Sequence, residues 1–137
     1  MTVKKLLFTT CALLVWGNVS PSRGSDDDLR AEGVALVQAG RYAEALQRFD
    51  AVLSRHPRDI RTLARRGNVY LMLGRPSKGL EDFDRAVKAQ PLYVSAWSDR
   101  GVALVMMGRL SEAEDSFIQA IHMSKAPVPR LIDMADG

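Results

Sequence analysis

From Asp26 onward the sequence returns to the same residues every 34 positions. Gly33, Gly67 and Gly101 are related in this way, as are Gly40-Arg41, Gly74-Arg75 and Gly108-Arg109, and Phe49, Phe83 and Phe117. Four of the 34 columns are therefore identical in all three copies. Unrelated sequence would give roughly 0.1 such columns, with each residue type at a few per cent. Other columns keep one kind of residue: Leu29/Leu63/Trp97, Leu36/Tyr70/Leu104, Ala45/Gly79/Ala113, Val52/Ala86/Ala120 and Leu53/Val87/Ile121. A chain with such a period folds as a stack of like units, each covering its neighbour.

Within one period the apolar spacing is helical. Leu63, Gly67 and Tyr70 fall at i, i+4 and i+7, on one face. Gly74-Arg75-Pro76 stops that helix, with glycine after its end and proline opening the next. Gly79, Phe83, Ala86 and Val87 continue the pattern, and Pro91 ends it. The spacing predicts helices over 26–39, 43–56, 60–73, 77–90, 94–107 and 111–124, with no strand. Ser111 and Glu114 have capping-box spacing, which marks Ser111 as a helix cap. A glycine inside a helix costs about 1 kcal/mol relative to alanine, yet this chain repeats one at a single phase. Close approach of a partner helix is the physical reason. Gly33, Gly67 and Gly101 leave a notch, Ala45, Gly79 and Ala113 are the reciprocal small positions, and the phenylalanines fill the space beside them.

The period, the helix–turn–helix layout, the small residue at 45/79/113, the phenylalanine four residues later and Pro57/Pro91 resemble the tetratricopeptide repeat. That resemblance covers residues 26–127. It implies an all-α, right-handed solenoid of three antiparallel helix pairs, in repeats 26–59, 60–93 and 94–127. Two positions depart from the pattern. Gly79 stands where alanine is usual, which softens its helix, and Lys125 stands where proline is expected, which lets the last helix run on.

Ahead of the repeats, residues 1–24 have the anatomy of a secretory signal peptide. Lys4 and Lys5 are followed by an uncharged apolar run from Leu6 to Trp16, then by the small polar stretch Gly17–Gly24. The run falls short of the roughly 20 residues of a bilayer span but suits a signal core. Export is the expectation, with cleavage after Gly17 or near Gly24 and no stable membrane span afterwards. The single cysteine, Cys11, lies in this leader. The formal charge of +3 also resides there: residues 1–24 hold three basic side chains and no acidic one. The remainder holds 16 of each sign, which removes the ground for nucleic acid as a partner.

A second stripe on the first helix of each repeat varies between copies. It reads Asp27, Ala31, Val34, Gln38; then Arg61, Arg65, Asn68, Met72; then Ser95, Asp99, Val102, Met106, each at i, i+4, i+7 and i+11. The resemblance implies that this face lines a concave groove and binds an extended or helical segment of another protein. Arg61 and Arg65, joined by Arg30 and Asn68, form a basic patch suited to carboxylates, hence to an acidic peptide. Chaperone-binding members of the family hold a terminal carboxylate with lysine, arginine and asparagine. Val34 and Asp99 depart from the asparagine positions on the flanking helices, so that full clamp is absent. The plainer readings are that Arg61 and Arg65 are solvated or pair with Asp99 and Asp27, and that Met72 and Met106 are packing residues rather than adaptable contact surface.

Catalytic chemistry finds little footing. His56 and His122 stand near helix C-termini without ligands at metal spacing, and Asp26-Asp27-Asp28 is explained by the helix dipole. No cofactor and no metal are expected, and the chain is expected to be no enzyme. The tail, residues 128–137, places Leu131, Met134 and Ala135 on one face. It either caps the last pair, frays, or enters a neighbouring molecule's groove. Left bare, the end of the stack invites a homo-oligomer or docking on a partner. A self-associating structural subunit and an accessory subunit of an enzyme complex are the alternative functions.

Overall fold

The computed structural model describes residues 24–125. The expected signal peptide, save Gly24, and the tail 128–137 lie outside the described residues. Six helices are present: α1 Asp26–Gln38, α2 Tyr42–Arg55, α3 Ile60–Met72, α4 Pro76–Ala89, α5 Val94–Met106 and α6 Leu110–Ser124. Among the described residues there is no strand. Helices α1, α3 and α5 begin 34 residues apart, as do α2, α4 and α6.

Each first helix ends in the same way. Gly40, Gly74 and Gly108 adopt φ of 75°, 70° and 73°, the left-handed conformation that glycine reaches without steric cost. In the second turn the Gly74 N–H donates to the Leu71 carbonyl at 3.0 Å and the Arg75 N–H to the Tyr70 carbonyl at 2.8 Å. The same two bonds recur at Gly40-Arg41 and Gly108-Arg109. This is the Schellman closure, which satisfies the free carbonyls at a helix end. It starts each second helix one residue earlier than the spacing predicts, and this corrects the reading of Ser111. Helix α6 begins at Leu110, its N-cap is Arg109, and no side chain caps it. Ser111 is thus already inside the helix. Instead, Arg109 Nε donates to Glu112 Oε1 at 2.9 Å. A true capping box stands at the start of α1. The Asp28 N–H donates to Ser25 Oγ at 3.2 Å, and the Ser25 N–H donates to Asp28 Oδ2 at 3.0 Å.

The notches are filled by rings of the same hairpin. A Cβ built on Gly33, Gly67 or Gly101 would lie 2.5, 2.7 or 2.6 Å from Cε1 of Phe49, Phe83 or Phe117. Phe49 and Phe83 are fully buried. Gly79 has its own reason: a Cβ there would lie 2.9 Å from the Gly67 carbonyl oxygen. The two backbones of the middle hairpin approach closely enough to exclude an alanine at 79. Helix α6 extends to Ser124 with Lys125 as its C-cap, one residue beyond the ends of α2 and α4 in register.

Stacking joins the hairpins. Each helix packs on its neighbours in sequence; α1 touches α3 and α3 touches α5, whereas α2, α4 and α6 do not meet. The first helices therefore converge on the inner face, and the second helices splay on the outer one. Leu53, Leu63, Ala86, Val87 and Ala96 form one apolar cluster across these junctions. The third copy of that column differs in environment. Leu53 and Val87 are 6% and 8% exposed, but Ile121 is 51% exposed, because no following hairpin among the described residues covers α6. Ile118 beside it is also exposed.

An ionic clip, not foreseen from the sequence, runs along the junctions. Arg66 on α3 meets Asp82 of α4 in bidentate fashion, Nε to Oδ2 at 2.8 Å and Nη2 to Oδ1 at 2.6 Å, and reaches Asp50 of α2 through Nη1 at 2.8 Å. One repeat on, Arg100 bonds Asp84 of α4 at 2.6 Å and the Ser116 hydroxyl of α6 at 2.6 Å. The first hairpin uses the reversed pair, with Arg48 Nε 2.9 Å from Glu32 Oε2. Each clip ties a first helix to its own partner, and Arg66 and Arg100 also tie to the helix before. The bonds to Asp82 hold the Arg66 guanidinium well above the usual arginine range despite its burial.

Candidate functional site

The variable stripe lies on the open inner face. Of its twelve side chains none is buried: Val34, Asn68 and Asp99 are half-buried and the others are exposed. Met72, Val102 and Met106 are 57%, 44% and 48% exposed. This corrects the packing reading of Met72 and Met106, both of which face solvent at the C-terminal ends of α3 and α5. Leu73 and Met107, in the turns that follow, extend the apolar edge.

Between α1 and α3 the stripe opens into a cleft of about 280 Å³, lined by Val34, Val37, Gln38, Phe49, Val69 and Met72, with Arg65 and Asn68 at its side. It is apolar at its base and carries one cation, Arg65, and two amides, Gln38 and Asn68. An aliphatic or aromatic side chain next to a hydrogen-bonding group fits such a hollow. Arg61 and Arg65 are exposed. Among the described residues neither forms an ion pair, so both guanidinium forks are free. The pairing of these arginines with Asp27 and Asp99 does not occur. Asp27 pairs with Arg30, and Asp99 accepts from Asn68 Nδ2 at 3.1 Å. Burial pushes the Asp99 carboxyl above the usual carboxylate range, and the Asn68 bond opposes this only in part.

Arg30 does not join the patch. Its guanidinium bridges Asp27 and Asp59, with Nη2 3.0 Å from Asp59 Oδ2. It lines a different hollow of about 650 Å³ at the loop between α2 and α3, together with Arg55, His56, Pro57, Arg58 and Asp59. This hollow is the larger but is wide and lined mostly by ionisable side chains, of which arginines 30 and 55 are already paired. The smaller apolar cleft is the better seat for a ligand. Position 30 is equivalent to the buried Ala64 in the next repeat, so it belongs to the repeat junction rather than to the groove.

The three acids that open α1 each have a partner, so more than the helix dipole holds them. Besides Asp27 and Asp28, Asp26 meets Arg55 at 3.0 Å and His56 Nε2 at 2.8 Å. Partial burial opposes ionisation of Asp26, but the bonds to His56 and Arg55 hold its carboxyl below the usual range. Among the described residues no three His, Cys, Asp or Glu side chains gather closely enough to hold a metal ion. No helix among them is long and apolar enough to cross a membrane.

Comparison with solved structures gives the same architecture. The second TPR domain of Spaghetti (RPAP3), bound to the HSP90 peptide SRMEEVD, superposes with a TM-score of 0.69 at 20% identity, over 72% of this chain and 91% of that one. The Sgt2 TPR domain from Aspergillus fumigatus gives 0.72 at 25% identity, over 83% and 75%. MamA from Desulfovibrio magneticus RS-1 gives 0.68 at 25% identity, over 74% of this chain and 57% of that one. A search of curated proteins returns no match. Two family models, both described as tetratricopeptide repeat, match residues 36–91 and 64–126, and so overlap across the middle hairpin. Twin models laid along the period, together with glycine notches filled by phenylalanine in all three hairpins, make this chain a member of the tetratricopeptide repeat family.

Proposed function

We propose that the protein is a non-catalytic adaptor, exported from the cytoplasm, that captures a segment of another protein on the inner face of its three hairpins. One observation carries this reading. The core columns keep one kind of residue from copy to copy, while the stripe beside them changes and stays open, with Arg65 at the side of an apolar cleft and Arg61 exposed one turn before it, neither in an ion pair among the described residues. Stacking of repeats creates an extended concave surface of this kind, which solenoid proteins use for binding. The Spaghetti domain is similar in fold and is bound to the acidic peptide SRMEEVD. Acidic groups on a captured segment suit the guanidinium forks of Arg61 and Arg65.

A second reading, self-association as a structural subunit, is favoured by the exposed Ile118 and Ile121 at the end of the stack. One experiment addresses both. A photo-crosslinking residue is placed in the full chain at Met72 or Met106, at Ile121, or at Glu81 on the outer face, and irradiated in the native compartment. The adaptor reading predicts a crosslinked partner of new mass from positions 72 and 106 and none from position 81. Adducts at twice the chain's own mass, formed only from Ile121, would favour the structural subunit. Equal labelling from Glu81 would contradict a groove.

A further inference from the structure

We infer that Asp99 receives a cationic side chain of the captured segment, so that the groove selects a partner carrying a base as well as an acid. This rests on the groove reading above and narrows it. Four carboxylates among the described residues are buried or half-buried: Asp26, Asp59, Asp82 and Asp99. The first three each have a cation, in Arg55 with His56, Arg30 and Arg66 respectively. Among the described residues Asp99 alone has none, and the one hydrogen bond it accepts there is from the neutral Asn68 amide. A carboxylate withdrawn from water without a counter-charge is costly. An ionised carboxylate also has about four acceptor positions, so one bond to Asn68 leaves most of its capacity open. A lysine or arginine arriving with the partner supplies both charge and donors.

The position within the stack sharpens this. Asp99 stands one period after Arg65, which stands one period after Ala31, so a single column reads neutral, positive, negative across α1, α3 and α5. Neighbouring packed helices lie about 10 Å apart. An extended segment rises about 3.3 Å per residue, so its acid at Arg65 and its base at Asp99 are about three residues apart. A uniformly acidic segment that engaged Arg65 would bring its next carboxylate against Asp99, and like charges so placed are disfavoured.

The test is selection of a random displayed peptide library on the full chain, in parallel with Asp99→Asn. The substitution keeps an oxygen that accepts from Asn68, removes the charge and turns the second acceptor oxygen into an NH2 donor, at nearly unchanged size. Peptides selected on the native chain should carry Asp or Glu three to four residues from Lys or Arg. On Asp99→Asn the basic preference should vanish while the acidic one persists, and a synthetic selected peptide should bind at least tenfold more weakly. Selected peptides that are acidic without a base, or a basic preference that survives Asp99→Asn, would overturn the inference and leave the groove intact. No enrichment over a bare surface would overturn the groove reading itself, and this inference with it.

Discussion

Asp82→Ala should melt more than 10 °C below the native chain. The Asp82 side chain is 3% exposed and its partner Arg66 is 16% exposed, so the substitution strands a guanidinium in a site built for two bidentate bonds. Breaking a buried pair from one side costs about 3–5 kcal/mol. Asp50 still holds one arm of Arg66, which places the loss near about 3 kcal/mol at the lower end of that range. At about 4–8 °C per kcal/mol for a domain of this size, the shift is readily seen by circular dichroism. Removing both partners, as in Arg66→Met with Asp82→Leu, should recover most of the loss, because a well-packed apolar pair can replace a buried ionic one. A single substitution that melts with the native chain would mean that the clip contributes nothing.

Gly67→Leu should lower stability by about 3 kcal/mol, the upper end for overpacking of a core. Its first side-chain atom already falls 2.7 Å from the Phe83 ring, and Phe83 is fully buried. The gain in helix propensity over glycine, at most about 1 kcal/mol, offsets only part of this. Gly67→Ala should sit between the two, since one methyl requires the ring to shift but adds propensity. Thermal melts of the three proteins check the order. Equal melts would mean that Gly67 is not where α3 and the Phe83 ring meet.

How far the sequence alone reached depended on whether a signal repeats in residue type. The glycine and phenylalanine columns repeat identically, so the hairpin and its notch were legible from Gly33, Gly67, Gly101 and their rings. The clip was not, because its columns exchange chemistry. Positions 32 and 48 carry Glu and Arg, 66 and 82 carry Arg and Asp, and 100 and 116 carry Arg and Ser. Complementarity across 16 residues is conserved while identity is not, and only pairing the columns would have found it. Ser111 misled for another reason: capping-box spacing does not say where the preceding turn closes, and Gly108 closes it early enough to place Leu110 first in the helix. Arg30 was misplaced because its charge was read without its column, whose buried member Ala64 marks the junction. The open stripe was legible because helical spacing alone separates it from the core face.

Charge reversal at both arginines, Arg61→Glu with Arg65→Glu, tests most directly whether the inner face is the working surface. Both side chains are exposed and without an ion pair among the described residues, so the double variant should keep its helicity and its melting temperature. Its affinity for the partner recovered from position 72 or 106 should fall by more than tenfold, a loss above about 1.4 kcal/mol. Undiminished binding by a fully helical double variant would contradict the account.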